Sequence, residues 1–363
     1  MITAIIGANY GDEGKGLAVN YFTREGNNLV VRHNGGAQSG HTVELEDGKR
    51  FVFHELSSGS FNNAATYWDS TYHPGLYALA KEYADFYKIT NKLPKIYCHK
   101  DTTITIIDDI ILNWHFNAEE FNTCGMGIWE CVCRNNAGYK ITVQDIKNMT
   151  VEQIYNKLLG FRYSYFIKRL REKEVDNSTY SEMLTDDNIL LNYAIEIKHT
   201  SESIEIADHS IFDKFDNIVY ESGQGLFLDG DYDVENGTPS KTGLYNILNS
   251  GVRPDEVVYV TRTYLTRHGK GKFVEESNIE DFDETNLFNK WQGDIKYGKF
   301  DSIESLKHRI NVDCNIIKPH LFVTHANITD KKILTTNGSV DINTLGFEKT
   351  YISENKYTVT NII

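Results

Sequence analysis

The chain has 363 residues and 40% hydrophobic content, enough to bury a substantial core in one large domain or two ordinary ones. A formal net charge of −14, with no basic run interleaved with aromatics, argues against DNA or RNA as a partner. Five cysteines without paired C-x-x-C spacing predict a reduced, cytoplasmic chain, and the lack of a basic-then-apolar leader or an apolar run of about 18 residues predicts neither export nor a membrane span.

The apolar opening "MITAIIG" reads as a strand that runs into "GANYGDEGKGLAVNY", Gly7 to Tyr21. Glycines 7, 11, 14 and 16 permit tight turns and close approach of main-chain N–H groups to an anion, while Asp12, Glu13 and Lys15 place both charge signs within one turn. That combination suits a nucleotide phosphate with a metal ion, the plainer alternative being an ordinary strand-to-helix turn. It is not a Walker A loop, because Asn9 stands where the first glycine is required and Gly16 follows Lys15 in place of Ser or Thr.

A second strand leads into "VVRHNGGAQSGHTV", where Gly35, Gly36 and Gly40 deliver His41 and Thr42. A histidine fixed at such a turn can hold or release a proton near neutrality, whereas a lone histidine is otherwise a hydrogen-bonded structural residue. Beyond it, "LYALAKEYADFY" (76 to 87) and "VEQIYNKLLGFRYSYFIKRLREK" (151 to 173) carry apolar residues at helical spacing, and 151 to 216 reads as a helical excursion. Apolar β-branched runs recur as "PKIYCH", "NIVYES", "EVVYVTRTYL" and "HLFVTHA". Together these predict one α/β domain over 1–363 with a central, largely parallel sheet flanked by helices. Glycine-rich loops at 220 to 243, 261 to 273 and 289 to 301 set Gln, Thr, Lys or Arg beside glycine, as a site at the carboxyl edge of such a sheet requires.

"GDEGKG" (11 to 16), "VVRHNGGAQSGHTV" (30 to 43), "FHELSSG" (53 to 59), "ESGQGLFLD" (221 to 229) and "TRHGKG" (266 to 271) resemble, in order, the motifs of the adenylosuccinate synthetase family. The resemblance covers about residues 1 to 330, and the short length is closer to archaeal and phage members than to bacterial ones. It implies a P-loop-NTPase-like ligase architecture and a reaction joining L-aspartate to C6 of a 6-oxopurine nucleoside monophosphate with an NTP and Mg2+. It also implies Asp12 as base and magnesium ligand, His41 as acid and Lys15 as the charge on the transferring phosphate. Gly11, Glu13, Gly14, Gly16, Gly40, Thr42 and Asn327 would hold the nucleotide and its phosphates, with the Gly40 carbonyl on the metal. Gln38, Thr123, Arg134, Gln224 and Thr238 would contact the purine monophosphate, Arg134 across a homodimer interface. Gly293, Asp294, Lys296 and Arg267 would bind aspartate.

Departures from the family pattern bear on the substrates. Where members read guanine with T-K-x-D, this chain has "THAN", Thr324 to Asn327, which favours ATP or dATP over GTP. The arginine-rich aspartate loop is replaced by "WQGDIKYGKFD", similar to phage enzymes that act on dGMP, with Lys296 and Lys299 in place of arginine. Asp12, which those phage enzymes replace by serine, favours IMP; the altered loops together place dGMP ahead. A phage-encoded member would work in the host cytoplasm. Two readings from other classes stand beside the ligase: an NTPase switch, which would not need His41, and a silent relative, which would not need to keep Asp12, Lys15 and His41 together.

Overall fold

The computed structural model describes residues 1–117, 123–172, 178–231, 237–238, 240–269, 273, 276–279, 288, 291, 293–315 and 317–362. Ten strands form one sheet. In chain order they are β1 Ile2–Gly7, β2 Asn28–Arg32, β3 Ala65–Trp68, β4 Ile96–Cys98, β5 Ile204–Ile206, β6 Asn217–Gly225, β7 Glu256–Arg262, β8 His320–Thr324, β9 Thr350–Ile352 and β10 Thr360–Asn361. Across the sheet the order is β10-β9-β8-β7-β1-β6-β2-β3-β4-β5, and every pair is parallel except β9 with β10.

β1 lies at the centre because its run of apolar residues is covered on both faces, the condition a parallel sheet requires. Ala4 and Ile6 join one core with Leu29, Tyr220, Val257 and Leu306, while Ile5 joins the opposite one with Val19, Val30 and Phe322. From β1 the chain builds outwards through β2 to β5, returns as β6 between β1 and β2, and crosses to the other side as β7. The carboxyl ends of β1, β6 and β7 therefore converge at a reversal of strand order, where open α/β sheets hold ligands.

The helix α1, Lys15–Phe22, follows the first glycine loop directly. Gly14 caps it with φ 91°, and a Cβ there would come within 3.0 Å of Thr324 Cγ2, so both conformation and space require glycine. The helix expected at 76 to 87 is α2, Leu76–Thr90. The one expected at 151 to 173 runs from Val151 to Phe161, then widens to a π-helical turn over Arg162–Phe166 before ending at Leu170. The turn coincides with a buried ion pair, Arg162 Nη2 to Asp108 Oδ1 at 2.7 Å. The helical excursion also ends sooner than expected: helix Asp187–Ser201 is followed by β5, which joins the sheet edge. The five cysteines form no disulfide.

α2 also carries a buried carboxylate. Glu82 accepts the N–H groups of His54, Glu55 and Leu56 at 2.9, 2.7 and 3.1 Å, while Glu55 accepts from Gly75 N–H and the Tyr72 hydroxyl. Burial, then repulsion from Glu82, pushes the Glu55 carboxyl up to about 8; burial pushes Glu82 to about 7. A carboxyl raised above its unfolded value of about 4.3 binds more protons in the folded state, so its contribution to stability is lost as pH rises from there through about 8. Glu55→Gln removes that titration. The difference in Tm between variant and wild type is expected to grow in the variant's favour from pH 5 to pH 9, by on the order of 2 °C or more; a pH-independent difference would refute the assignment. The difference is the useful quantity because buried His33 and His73, each held down to about 4, give the wild type an opposing acid limb.

Candidate active site

The loop leaving β1 is braced from within. Glu13 Oε1 accepts the N–H groups of Asn9 and Gly11 at 2.9 and 2.8 Å, and its Oε2 receives the Lys15 ammonium at 2.9 Å. Lys15 also donates to Gly11 O at 2.7 Å, and both side chains are almost wholly buried. Lys15 holds Glu13 below the usual carboxylate range against the upward push of burial. This corrects the expectation for Glu13: an inward-facing anion repels a phosphate, so its place is to fix the loop, while Lys15 and the loop N–H groups are the parts that suit one.

Asp12 stands beside this brace, half-buried. Its main-chain carbonyl accepts from Arg262 Nε at 2.7 Å, and among the described residues no hydrogen bond reaches its carboxylate. Burial raises that carboxyl, opposed by the nearby His268 and Arg262. A carboxylate with open lone pairs on a loop of N–H donors fits Mg2+, which takes one or two protein carboxylates and fills its remaining positions with phosphate and water. The Gly40 carbonyl is the second expected ligand, and its segment packs on the start of α1, where a Cβ on Gly16 would come within 2.6 Å of Thr42 O.

His41 opens a short hairpin, His41–Glu44 with Arg50–Phe53. Its Nδ1 lies 2.6 Å from Glu221 Oε1, and its Nε2 is buried with no partner among the described residues. Glu221 is itself fully buried on β6, held by the Ser58 N–H at 3.2 Å, the Ser58 hydroxyl and Arg32 at 3.8 Å. Despite burial, His41 first, then Arg32 and the Ser58 hydroxyl, keep its carboxyl down at about 2, so it is an anion that orients the imidazole. Burial lowers His41 and Glu221 opposes that. Sequence reasoning assigned Glu221 no role although it begins the quoted "ESGQG"; the signal was a carboxylate within the apolar run "NIVYES", which burial must pair.

Other expected residues gather around this pair. A Cβ on Gly223 would come within 3.0 Å of Ser39 Oγ, so the end of β6 and the 35-to-40 turn are in contact. On these two segments, Gln224 Oε1, Gln38 Oε1 and Asn34 Nδ2 are buried without partners among the described residues, as is Thr42 Oγ1 nearby. Thr123 lies in the turn before α3, Ile128–Asn136, where its hydroxyl donates to Asn113 and accepts Gly125 N–H. That turn joins the site, since a Cβ on Gly36 would strike Ile128. Thr238 is half-buried and donates its N–H to Leu228 O, though 232–236 and 239 of its loop lie outside the described residues.

Arg267 and Lys296 are cross-strand partners in the small hairpin Leu265–Arg267 with Lys296–Gly298, while Gly293 is half-buried and Asp294 exposed before it. Arg267 sits over the Tyr10 ring at 4.8 Å, Tyr10 stacks on Phe227 at 4.6 Å, and Arg309 closes the stack over Phe227 at 3.7 Å. This four-layer stack, which the sequence did not reveal, fixes the hairpin to the phosphate loop. Trp291 stacks on Trp114, so the 289-to-301 segment begins against the Thr123 turn. Asn327 is exposed, and the nearby Thr324 is fixed to the phosphate loop through its hydroxyl on Glu13 O at 2.8 Å. Residues 270–272, including part of "TRHGKG", and 289, 290 and 292 lie outside the described residues.

Arg134 is a correction. It was expected to reach a phosphate across a dimer interface, but it is fully buried in its own chain, with Nε and Nη2 on Asp109 at 3.0 and 2.9 Å, Nη2 on Ile104 O and Nη1 on Tyr139 O. With Nη1 also donating to Asn135 Oδ1 at 3.3 Å, all five N–H donors of the guanidinium are taken within the chain and none is left to offer a partner.

Comparison with known proteins agrees with the order of these elements. The family model described as adenylosuccinate synthetase matches residues 4–293. Among curated relatives, the adenylosuccinate synthetase of Thermosipho africanus is 28% identical over 293 residues, 76% of this chain and 67% of that protein. That of Rhodococcus opacus is 26% identical over 289 residues, 75% of this chain and 64% of that protein, so the match spans about two thirds of these relatives' length. In fold, the fully ligated adenylosuccinate synthetase of Plasmodium falciparum superposes with a TM-score of 0.70 at 21% identity, covering 93% of this chain and 82% of that one. The succinoaminodeoxyadenylate synthetase of cyanophage S-2L, bound to dGMP and to dATP as an energy donor, gives 0.65 at 14% identity, covering 99% and 94%. With four-fifths of its length matched by the family model, and with the phosphate loop, the glycine turn and the end of β6 meeting at one sheet edge, the chain belongs to the adenylosuccinate synthetase family.

Proposed function

We propose that this chain joins L-aspartate to C6 of a 6-oxopurine nucleoside monophosphate, with an NTP converted to NDP and phosphate. The observation that carries the reading is the buried His41–Glu221 pair, whose free Nε2 is held at the same sheet edge as Asp12 and Lys15. A C6 oxygen is a poor leaving group. Asp12 accepts the N1 proton, O6 attacks the γ-phosphoryl group, and Lys15 stabilises the charge on the phosphoryl oxygens. His41 donates a hydrogen bond to O6 from Nε2 while Glu221 holds its Nδ1–H. Burial favours neutral imidazole in the free enzyme; the negative charge of bound phosphates favours imidazolium, so His41 gains its proton as the substrates enter. The aspartate amine then attacks C6 and inorganic phosphate leaves. Bound at Asp12 and the Gly40 carbonyl, Mg2+ would neutralise phosphate charge.

Within this chemistry the monophosphate is dGMP and the donor ATP or dATP, the product being N6-succino-2-amino-2'-deoxyadenylate. Buried amide oxygens on Gln38 and Gln224 lack donors among the described residues, and a guanine 2-amino group supplies two N–H where hypoxanthine supplies none at C2. The enzyme works in the cytoplasm, as a homodimer whose interface does not use Arg134. Purified protein incubated with dGMP, GMP or IMP, each with ATP, dATP or GTP, aspartate and Mg2+, is expected to yield the succino adduct of dGMP by mass spectrometry. NTP turnover at the same rate without monophosphate and aspartate would instead mark an NTPase.

Asn327 makes the donor testable separately. A neutral amide offers adenine both a donor and an acceptor, but gives guanine no charge-assisted contact. Asn327→Asp is expected to shift the GTP-to-ATP ratio of kcat/KM towards GTP by about tenfold or more, as a charged acceptor is worth about 1.5–3 kcal/mol. An unmodified protein that already prefers GTP would refute this donor assignment.

A further inference from the structure

A cleft of about 420 Å³ lies at the amino edge of the sheet, where β2, β3, β4 and β6 begin and opposite the edge that holds His41. β2 alone separates the two edges by about 3.3 Å per residue over its length, so the cleft is no part of the site described above. Lys92, Lys95 and Lys214 line it, and among the described residues no carboxylate does, in a chain of net charge −14. Among the described residues none of the three is in a salt bridge. Lys92 donates to Asn63 Oδ1 at 2.6 Å and Lys95 to the Tyr97 hydroxyl at 3.4 Å, both neutral acceptors. Asp216, next in sequence to Phe215, accepts the N–H of Asn27 at 2.8 Å. Ser60, which also lines the cleft, is 1% exposed, and its hydroxyl has no partner among the described residues.

Three cations without carboxylates and a buried hydroxyl without a partner call for an anion with several acceptor oxygens. The rest of the lining has a different character: Leu93, Pro94 and the half-buried Phe215 ring offer apolar surface beside the charges. A free inorganic anion would leave that surface in water. We propose that the cleft is a second binding site for a nucleoside monophosphate, its phosphate among the lysines and Ser60 and its base against Pro94 and Phe215. The volume lies within the range that encloses a small organic ligand. Contact with a π-face is tolerant of base identity, so the site is open to pyrimidines.

Cytidine 5'-monophosphate is the probe, because it lacks the purine edge that the catalytic site is proposed to read. In equilibrium dialysis with the full chain, saturable binding is expected. Lys92→Glu with Lys214→Glu should weaken it at least about tenfold, Ser60→Ala several-fold, and inorganic phosphate should bind at least about tenfold more weakly than the nucleotide. Gln224→Leu, at the other edge among the groups proposed to meet the monophosphate, should leave binding unchanged. Circular dichroism checks folding, and Ser60→Ala serves as the second test if the double charge reversal fails to fold. Unchanged affinity in the lysine and serine variants, loss of binding in Gln224→Leu, or phosphate binding as tight as the nucleotide would each overturn the proposal. Because the probe bypasses the purine site, the result is independent of whether the ligase reading holds.

Discussion

His41→Ala is expected to lower kcat by at least about a hundredfold with the Tm little changed, the usual scale for a positioned acid or base, and Asp12→Asn by a similar factor. Glu221→Gln is the sharper test. An amide keeps the size of the side chain but removes the anion that opposes burial at His41, and it lets the ring take the other tautomer, with Nδ1 as acceptor. If Glu221 acts only as a structural tie between β6 and the Ser58 turn, the amide should retain most activity, because it can still bond to Ser58. If it fixes the proton of His41, kcat should fall about a hundredfold or more and the alkaline limb of the pH–rate profile, where His41 loses its proton, should move to lower pH. Near-wild-type turnover in folded His41→Ala would remove the general-acid role altogether.

Much of the architecture was legible because parallel strands covered on both faces announce themselves as apolar β-branched runs. The expected runs at β1, β2, β4, β6, β7 and β8 all enter the sheet. β3, "ATYW", escaped because it contains no Val, Ile or Leu, and β5, β9 and β10 because they are short strands towards the sheet edges whose order depends on neighbours distant in sequence. At the site, glycine loops exposed their own local requirement, a backbone that approaches an anion, which one segment expresses alone. Glu221, Ser58 and the Arg267–Tyr10–Phe227–Arg309 stack are instead relations between segments, and no single stretch carries them. Arg134 shows the converse error. An arginine on a predicted helix looks available for a ligand until Asp109, 25 positions earlier, is found to take two of its nitrogens.

The ratio of kcat/KM for dGMP to that for IMP is expected to exceed about a hundred at saturating donor and aspartate. The two bases share N1–H and O6 and differ at C2, and the two nucleotides differ also at the ribose 2'-hydroxyl, so the part owed to groups that meet the amino group is read from dGMP against dIMP, where the same excess is expected. Gln38 and Gln224 stand on the two segments that touch at Gly223 and Ser39, each with a buried amide oxygen lacking a donor. Each such oxygen left unpaired in the IMP complex costs about 1–3 kcal/mol, and two together reach the stated ratio. This is the regime in which a site built to bond a substrate N–H rejects the analogue without it more strongly than an apolar pocket rejects a missing methylene. Gln38→Leu, close in volume and without the acceptor, should lower the ratio about tenfold while leaving the KM for ATP unchanged, since the donor meets the phosphate loop and Asn327. A ratio below one in the wild type would make IMP the substrate. The Gln38 and Gln224 oxygens would then need donors from the ribose or from water, while the roles of Asp12, Lys15 and the His41–Glu221 pair, which act on N1, O6 and phosphate, would stand for either base.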